Sequence, residues 1–435
     1  MQIQSVKTLK SKQYGLLALI LIVSAYLSQI RSEGTHNMSY YILWAKSIVE
    51  GQLLEIYHAT PESMLQNSES LTVPYTPLSQ YLTAGTSWIL LHFLPNERAT
   101  YVTAVNFICV LFTLLTALIF FLSRRTISIK SPLIYLATPA VFLISPILAY
   151  EDSIMSYFLV VCLVSLRKER YFLAGLFGGC AVFSKQLALM PLVGIFLLIL
   201  YSKKFLPTVK FVTGSLTSAF VILSPFIFSG NTLLYFKAQS LTSVHTMLSA
   251  QAANFPWLGS LLYRCLTFGP FDGFIEGGNG LRISNDELRQ ISYLSSGLAT
   301  ILAFTIWAIF WGRRIGARNL NPIFGAAVMI FSYHLFNFGV HENHIFMLIP
   351  ILFLISQQAT AWSSYKMASG ALALTLVSAY GLGQESSLFT GFSSSHPFLY
   401  SSTQVVSLVL YILAFIKILR TNPSSNDSLY YFKVS

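Results

Sequence analysis

The chain has 435 residues, of which 54% are hydrophobic and only 10% charged, with a mean hydropathy of +0.63. Those values lie well outside the range of soluble domains and exclude an ordinary globular protein in favour of an integral membrane one. The formal charge of +11 does not call for a nucleic-acid partner, because the basic residues fall between apolar runs rather than on one face.

The apolar runs are of helix length, about 20 residues, and lack the alternation of an outer-membrane barrel, so the expected fold class is all-α and polytopic, one integral membrane domain of about 12 spans. In chain order the spans are expected at residues 14–30, 100–122, 132–149, 154–166, 171–184 and 187–201. Six more follow at 211–229, 291–311, 322–338, 345–355, 367–380 and 405–419. Short ones such as 171–184 read as tilted or re-entrant, since irregular backbone at membrane depth needs protein or a water-filled cavity to satisfy it. The first run follows Lys7, Lys10 and Lys12 as a signal peptide would, but no small-residue cleavage site comes after it, so it reads as a retained helix.

Basic residues orient the chain. With both termini cytoplasmic, nineteen of the 27 Lys and Arg residues lie inside, including Arg124, Arg125, Arg167, Lys168, Arg170, Lys203, Lys204, Arg313, Arg314 and Arg318. Counting the apolar run 78–94 as a span would place Arg124 and Arg125 outside, so it reads as an interfacial helix within a long external loop, 31–98. The four cysteines, Cys109, Cys162, Cys180 and Cys265, have neither paired external spacing nor a CxxC pattern, which argues against a disulfide framework or a cysteine zinc site.

This topology puts the chemically conspicuous residues on the external face: the first loop, the turn "AYEDS" at 149–153, Lys185 between two apolar runs, the loop 230–290, and "HENH" at 341–344. Each has a plain reading. Helix-end polarity accounts for "HENH"; its i, i+3 histidines do not match the i, i+4 spacing of HExxH, and no third zinc ligand is evident. Lys185 snorkels to the bilayer edge, Glu151 and Asp152 form a solvated turn, and Tyr40, Tyr41 and Trp44 belong to an interfacial aromatic belt.

The order of these pieces carries a resemblance. "THNMSYYILWAKSIVEGQLLEIY" at 35–57, "PYTPLSQYL" at 74–82, "SPILAYEDSIMSYF" at 145–158, "YFLAGLFGGCAVFSKQLALMP" at 171–191 and "FGVHENHIF" resemble successive landmarks of the GT-C glycosyltransferases. The last stretch is similar to dolichyl-phosphate-glucose glucosyltransferases and to bacterial mannosyltransferase-like relatives. The resemblance implies a catalytic module over 1–201, variable C-terminal helices over 202–435, and transfer of a hexose with inversion from a polyprenyl-phosphate sugar to a lipid-linked or surface glycan on the extracytoplasmic face of a bacterial inner or plasma membrane. A departing phosphate monoester calls for cationic or hydrogen-bonding groups, for which Lys185, His341, Glu342 and His344 are the candidates. The acceptor hydroxyl needs a general base, and Asp152 matches the family's "GQxDS" turn. Tyr40, Tyr41, Trp44 and Tyr75 are suited to stacking on sugar faces.

Two departures matter. Relatives carry an acid where this chain has Asn37, and "YPP" is here "YTP" at 75–77. An asparagine cannot accept the proton, which leaves Asp152, Glu151, His36 or Glu33 as the base, or a protein that binds a lipid sugar without transferring it. Glu151 and Asp152 could ligate Mg²⁺ or Mn²⁺ through oxygen, but two carboxylates do not make a site. The alternatives are a flippase or transporter for a lipid-linked glycan, against which stands the lack of an internal repeat and of a mid-span charge, and a catalytically inactive relative.

Overall fold

The computed structural model describes residues 2–35, 37–57, 75–123, 130–202, 205–240, 249–268, 286–356, 358–381 and 396–423. His36 lies outside the described residues, as do Arg124, Arg125, Lys203 and Lys204.

The chain is all-α. The N-terminal half comprises α1 (Gln2–Ser28), α2 (Asn37–Val49), α3 (Pro77–Leu90), α4 (Arg98–Leu122), α5 (Lys130–Leu136), α6 (Pro139–Phe142), α7 (Asp152–Arg167), α8 (Tyr171–Ser184) and α9 (Leu189–Tyr201). The C-terminal half comprises α10 (Phe205–Phe228), α11 (Thr232–Ser240), α12 (Phe255–Phe268), α13 (Asp286–Ile315), α14 (Pro322–Phe336), α15 (Leu348–Leu354), α16 (Ala359–Tyr380) and α17 (Pro397–Arg420). Among the described residues four stretches are long and apolar enough to cross a membrane: Arg98–Leu122, Phe205–Phe228, Gly297–Ile315 and Phe398–Arg420. The pair Lys130–Leu136 and Pro139–Ile147, bent by 64°, makes a fifth if counted as one broken span. The other expected spans also fall on helices, but shorter or more polar ones, such as the 14 residues of α8 and the seven of α15. Among the described residues, four or five of the twelve expected spans thus have the length and hydropathy that a crossing needs.

Helix starts follow local chemistry. Pro77, Pro322 and Pro397 each occupy the first turn, where their missing N–H has no intrahelical acceptor to lose, and Asn321 caps α14 by accepting from Ile323 N–H at 3.0 Å. α8 and α10 approach so closely that a Cβ on Gly175 would sit 1.8 Å from Phe211 O and one on Gly214 would sit 2.1 Å from Phe172 O. Only glycine permits this contact.

The bundle has two unlike ends. At one, Arg167 donates to Leu354 O at 3.0 Å, Ser202 Oγ to Ala317 O at 2.9 Å and Trp311 Nε1 to Leu419 O at 2.9 Å, which gathers the basic ends of α7, α13 and α17. Because α7 and α8 run antiparallel through the short turn 168–170, the start of α7 and the end of α8 meet at the opposite end. There a two-residue parallel ladder, β1 (Ser249–Ala250) with β2 (Val340–His341), joins the second expected loop to the segment carrying "HENH".

Candidate active site

The turn before α7 is built with care. A five-residue π-turn, Leu143–Ile147, carries Pro146, and the chain then passes through Ala149 at φ 52°. A left-handed non-glycine residue stores strain of about 1–3 kcal/mol and persists only where its surroundings hold it. Here Ser32 Oγ donates to Ile147 O at 2.8 Å, Cys109 Sγ to Tyr150 O at 3.5 Å, and Asn106 Nδ2 anchors Ser32 O at 2.7 Å. Gly34, at φ 62°, lies against this turn, and a Cβ there would meet Leu148 O at 3.0 Å. The strained turn points three consecutive side chains, Tyr150, Glu151 and Asp152, into the protein, all nearly fully buried. A solvated turn, the plain reading of Glu151 and Asp152, is therefore corrected.

Asp152, with no exposed surface, receives Lys185 Nζ on both oxygens at 3.0 and 2.9 Å and Asn343 Nδ2 at 2.8 Å. Lys185 does not snorkel; it is 8% exposed and turned inward. Burial acts to lower its pKa, but the charge and hydrogen bonds of Asp152, together with Tyr75 and Glu151, outweigh this and hold it above the ordinary value, so the group stays an ammonium. Glu151 accepts from Gln80 Nε2 at 3.3 Å and Thr83 Oγ1 at 3.4 Å. Burial pushes its pKa up from 4.5 to about 8, against the pull of Lys185 and with Asp152 adding to the rise. Glu342 accepts from Tyr150 OH at 2.9 Å and Tyr380 OH at 2.8 Å, and burial raises its pKa as well.

The helix α3, expected as interfacial, contributes Gln80 and Thr83 because its buried face is polar: Ser79, Gln80, Thr83 and Ser87 turn inward while Trp88 and Ile89 are exposed. Ser79 Oγ reaches Ser184 O at 2.8 Å and ties α3 to the end of α8. The aromatic residues form a wall beside the lysine. Trp44 lies 5.9 Å from Tyr40, 5.9 Å from Tyr41 and 5.6 Å from Tyr75 between ring centroids, and Lys185 Nζ is 6.0 Å from the Tyr75 ring centre. Tyr41 and Trp44 are buried with their faces against neighbouring rings, so they support the wall and only the half-buried Tyr40 and Tyr75 retain exposure for stacking.

Other candidates fall elsewhere. Glu33 pairs with Arg98 at 2.8 Å on the surface. Asn37 opens α2 one turn before Tyr41 and is half-buried. In "HENH" the histidines cap each other's backbone, His344 Nδ1 accepting from His341 N–H at 3.2 Å, and are half-buried. The inner pair turns into the protein instead, Asn343 donating to Asp152 and Glu342 accepting from Tyr150 and Tyr380. Asn343 was missed because nothing in its sequence neighbourhood distinguishes it from a helix-end asparagine; a 3₁₀ turn that buries the middle pair of the motif would have been the signal. Among the described residues no group of three or more His, Cys, Asp or Glu side chains could hold a metal ion. Glu151 and Asp152 do not fit a shared divalent cation, since both Asp152 oxygens receive an ammonium and Glu151 turns to Gln80 and Thr83.

The fold and this end of the bundle define an all-helical protein with several helices able to cross a membrane and a buried, charged polar cluster where the remaining helices converge. No model of a known protein family and no curated protein matches the chain.

Proposed function

We propose that the protein is an inverting glycosyltransferase of GT-C type, integral to the membrane with about twelve spans and both termini cytoplasmic, which moves a hexose from a polyprenyl-phosphate sugar to a glycan acceptor on the extracytoplasmic face. The observation that carries the reading is the buried Asp152–Lys185 pair, completed by Asn343. Removing two charges from water costs several kcal/mol per ion, so such a pair is a poor way to stabilise a fold and a good way to store reactivity. Trp44 Nε1, Thr76 Oγ1 and Gln80 Oε1, buried nearby with no hydrogen-bond partner among the described residues, favour a polar ligand in the same place.

The chemistry follows from the exchange of partners at Lys185. A phosphate group competes with Asp152 for the ammonium, and Asp152, left with the neutral Asn343 amide, is free to take the acceptor's proton. The acceptor oxygen attacks the anomeric carbon on the face opposite the phosphate; the carbon–oxygen bond to phosphate breaks, the new glycosidic bond forms, and the proton passes to Asp152. The negative charge that develops on the leaving phosphate is met by Lys185. Asn37 is no obstacle to this route, because the base is supplied from the start of α7.

The experiment is to incubate the purified protein with a panel of polyprenyl-phosphate sugars and candidate acceptors and to follow products by mass spectrometry. Transfer from one donor, lost in Asp152→Asn, is the expected outcome; a protein that binds none of the lipids and transfers no sugar ends the proposal. If the parent is inert and Asn37→Asp creates activity, the chain is an inactive relative.

A further inference from the structure

A second polar region lies behind the candidate site. Along α17, Tyr400, Gln404, Ser407 and Tyr411 recur at spacings of three and four residues, which places them on one helix face, and all four are fully buried. At 1.5 Å per residue the stripe runs about 16 Å into the bundle. It begins at the site: Tyr380 donates to Glu342 at 2.8 Å, Tyr400 stands within electrostatic reach of both, and Gln404 Nε2 reaches Ser378 Oγ at 3.5 Å. It ends at Tyr411, whose ring centre is 4.7 Å from that of His334 on α14.

The far half of the stripe is short of partners. His334 lies near the Ala253 backbone and Tyr411 near the Thr375 hydroxyl. Neither approach has the geometry of a hydrogen bond: both ring nitrogens of His334, Tyr411 OH, Ser407 Oγ, Gln404 Oε1 and Thr375 Oγ1 are without a partner of normal geometry among the described residues. So many buried polar atoms, each worth about 1–3 kcal/mol if left unsatisfied in a dry interior, are not tolerated on one face without compensation. The next turn closes the face: Ala414, Phe415 and Ile418 are buried and Phe331 packs on Phe415 at 5.4 Å.

We propose that this stripe walls a blind, hydrated pocket, a short file of bound water that runs from Glu342 to His334 and stops at Phe415. A buried water makes about three hydrogen bonds to otherwise unsatisfied groups, and the clustered hydroxyls, amide and imidazole supply them. Through Tyr380 the file places exchangeable protons next to Glu342. The apolar stop at Phe415 makes the pocket a reservoir rather than a route across the bundle. The inference stands on packing alone and is independent of the transferase reading.

The test is X-ray hydroxyl-radical footprinting of the purified full chain in nanodiscs, with H₂¹⁸O exchange, because radicals generated from bound water label side chains that bulk solvent does not reach. Tyr411 and His334 take up label in the parent, and Gln404→Leu, which interrupts the file, lowers labelling of Tyr411 at least fivefold while that of the exposed Tyr14 is unchanged. Unlabelled Tyr411 and His334 beside a labelled Tyr14 overturn the proposal. The thermal midpoint of Tyr411→Phe gives an independent sign: removing a hydroxyl that holds water lowers it, whereas an unchanged or raised midpoint means a dry, unpartnered hydroxyl and also overturns the proposal.

Discussion

The two ends of the bundle handle charge in opposite ways. At the end of Arg167, Arg313, Arg314 and Arg318 the charges are exposed or only half-buried and of nearly one sign, with Lys168 and Arg170 exposed. At the other end three acidic side chains, Glu151, Asp152 and Glu342, of which Glu151 is held protonated up to about 8, and the ammonium of Lys185 are all buried and linked by hydrogen bonds to Gln80, Thr83, Asn343, Tyr150 and Tyr380. Exposed charges cost little and specify little. Buried ones are expensive and need every partner in place, which makes the second end the candidate site.

Substitutions sharpen this contrast. The largest effect is expected at the ion pair: Asp152→Asn lowers sugar transfer by on the order of 10³-fold, and Lys185→Met, which leaves a buried carboxylate unpaired, costs about 3–5 kcal/mol of stability. The double variant Asp152→Asn, Lys185→Met recovers most of that stability and none of the activity; recovered activity would make the pair structural only. Next, Asn343→Leu removes one of the two groups that orient Asp152, and turnover drops on the order of 10²-fold with KM little changed, the mark of a misplaced reacting group. Gly34→Ala, at φ 62° and in contact with Leu148 O, costs about 2 kcal/mol in a denaturation series through strain that spreads to the turn at Ala149.

A smaller effect concerns pH. The folded protein holds Glu151 protonated up to about 8, whereas the unfolded chain releases that proton near 4.5. Between those values the folded state binds more protons, so this group makes stability fall as pH rises, and the contribution is level above and below the window. In Glu151→Gln the thermal midpoint is flatter across the same window; an unaltered slope would place Glu151 in solvent. At the opposite end, Arg170→Ala changes stability by less than about 0.5 kcal/mol and leaves transfer untouched. A loss of transfer there would erase the distinction between the two ends.

Some of the site was legible beforehand because it was carried by residue types rare in an apolar chain. Lys185, Asp152, Glu151 and Glu342 stood out as isolated charges beside long apolar runs, and all four converge. His341 and His344 stood out equally and turned to each other, since the choice between facing the core and capping a 3₁₀ turn depends on a backbone direction that a four-letter motif does not encode. Likewise, Tyr41 and Trp44 were expected to stack on a ligand, but rings are claimed by whichever neighbours packing brings up, here Trp44 against Tyr41, and Tyr40 and Tyr75 against Trp44.

By itself the sequence determined the all-α fold class and where most of the described helices lie, because hydropathy and the lengths of apolar runs are local, additive properties. It also separated a basic end from an end bearing carboxylates, since loop charges follow directly from the order of the runs. Only the tertiary structure decided that Asn343 meets Asp152, that α3 turns its polar face inward, and that Tyr400, Gln404, Ser407 and Tyr411 line up behind Glu342. These are contacts between segments up to about two hundred residues apart, as for Asp152 and Asn343. They depend on the depth and rotation of each helix in the bundle, which are set by close approaches such as Gly175 on Phe211 and not by any local pattern.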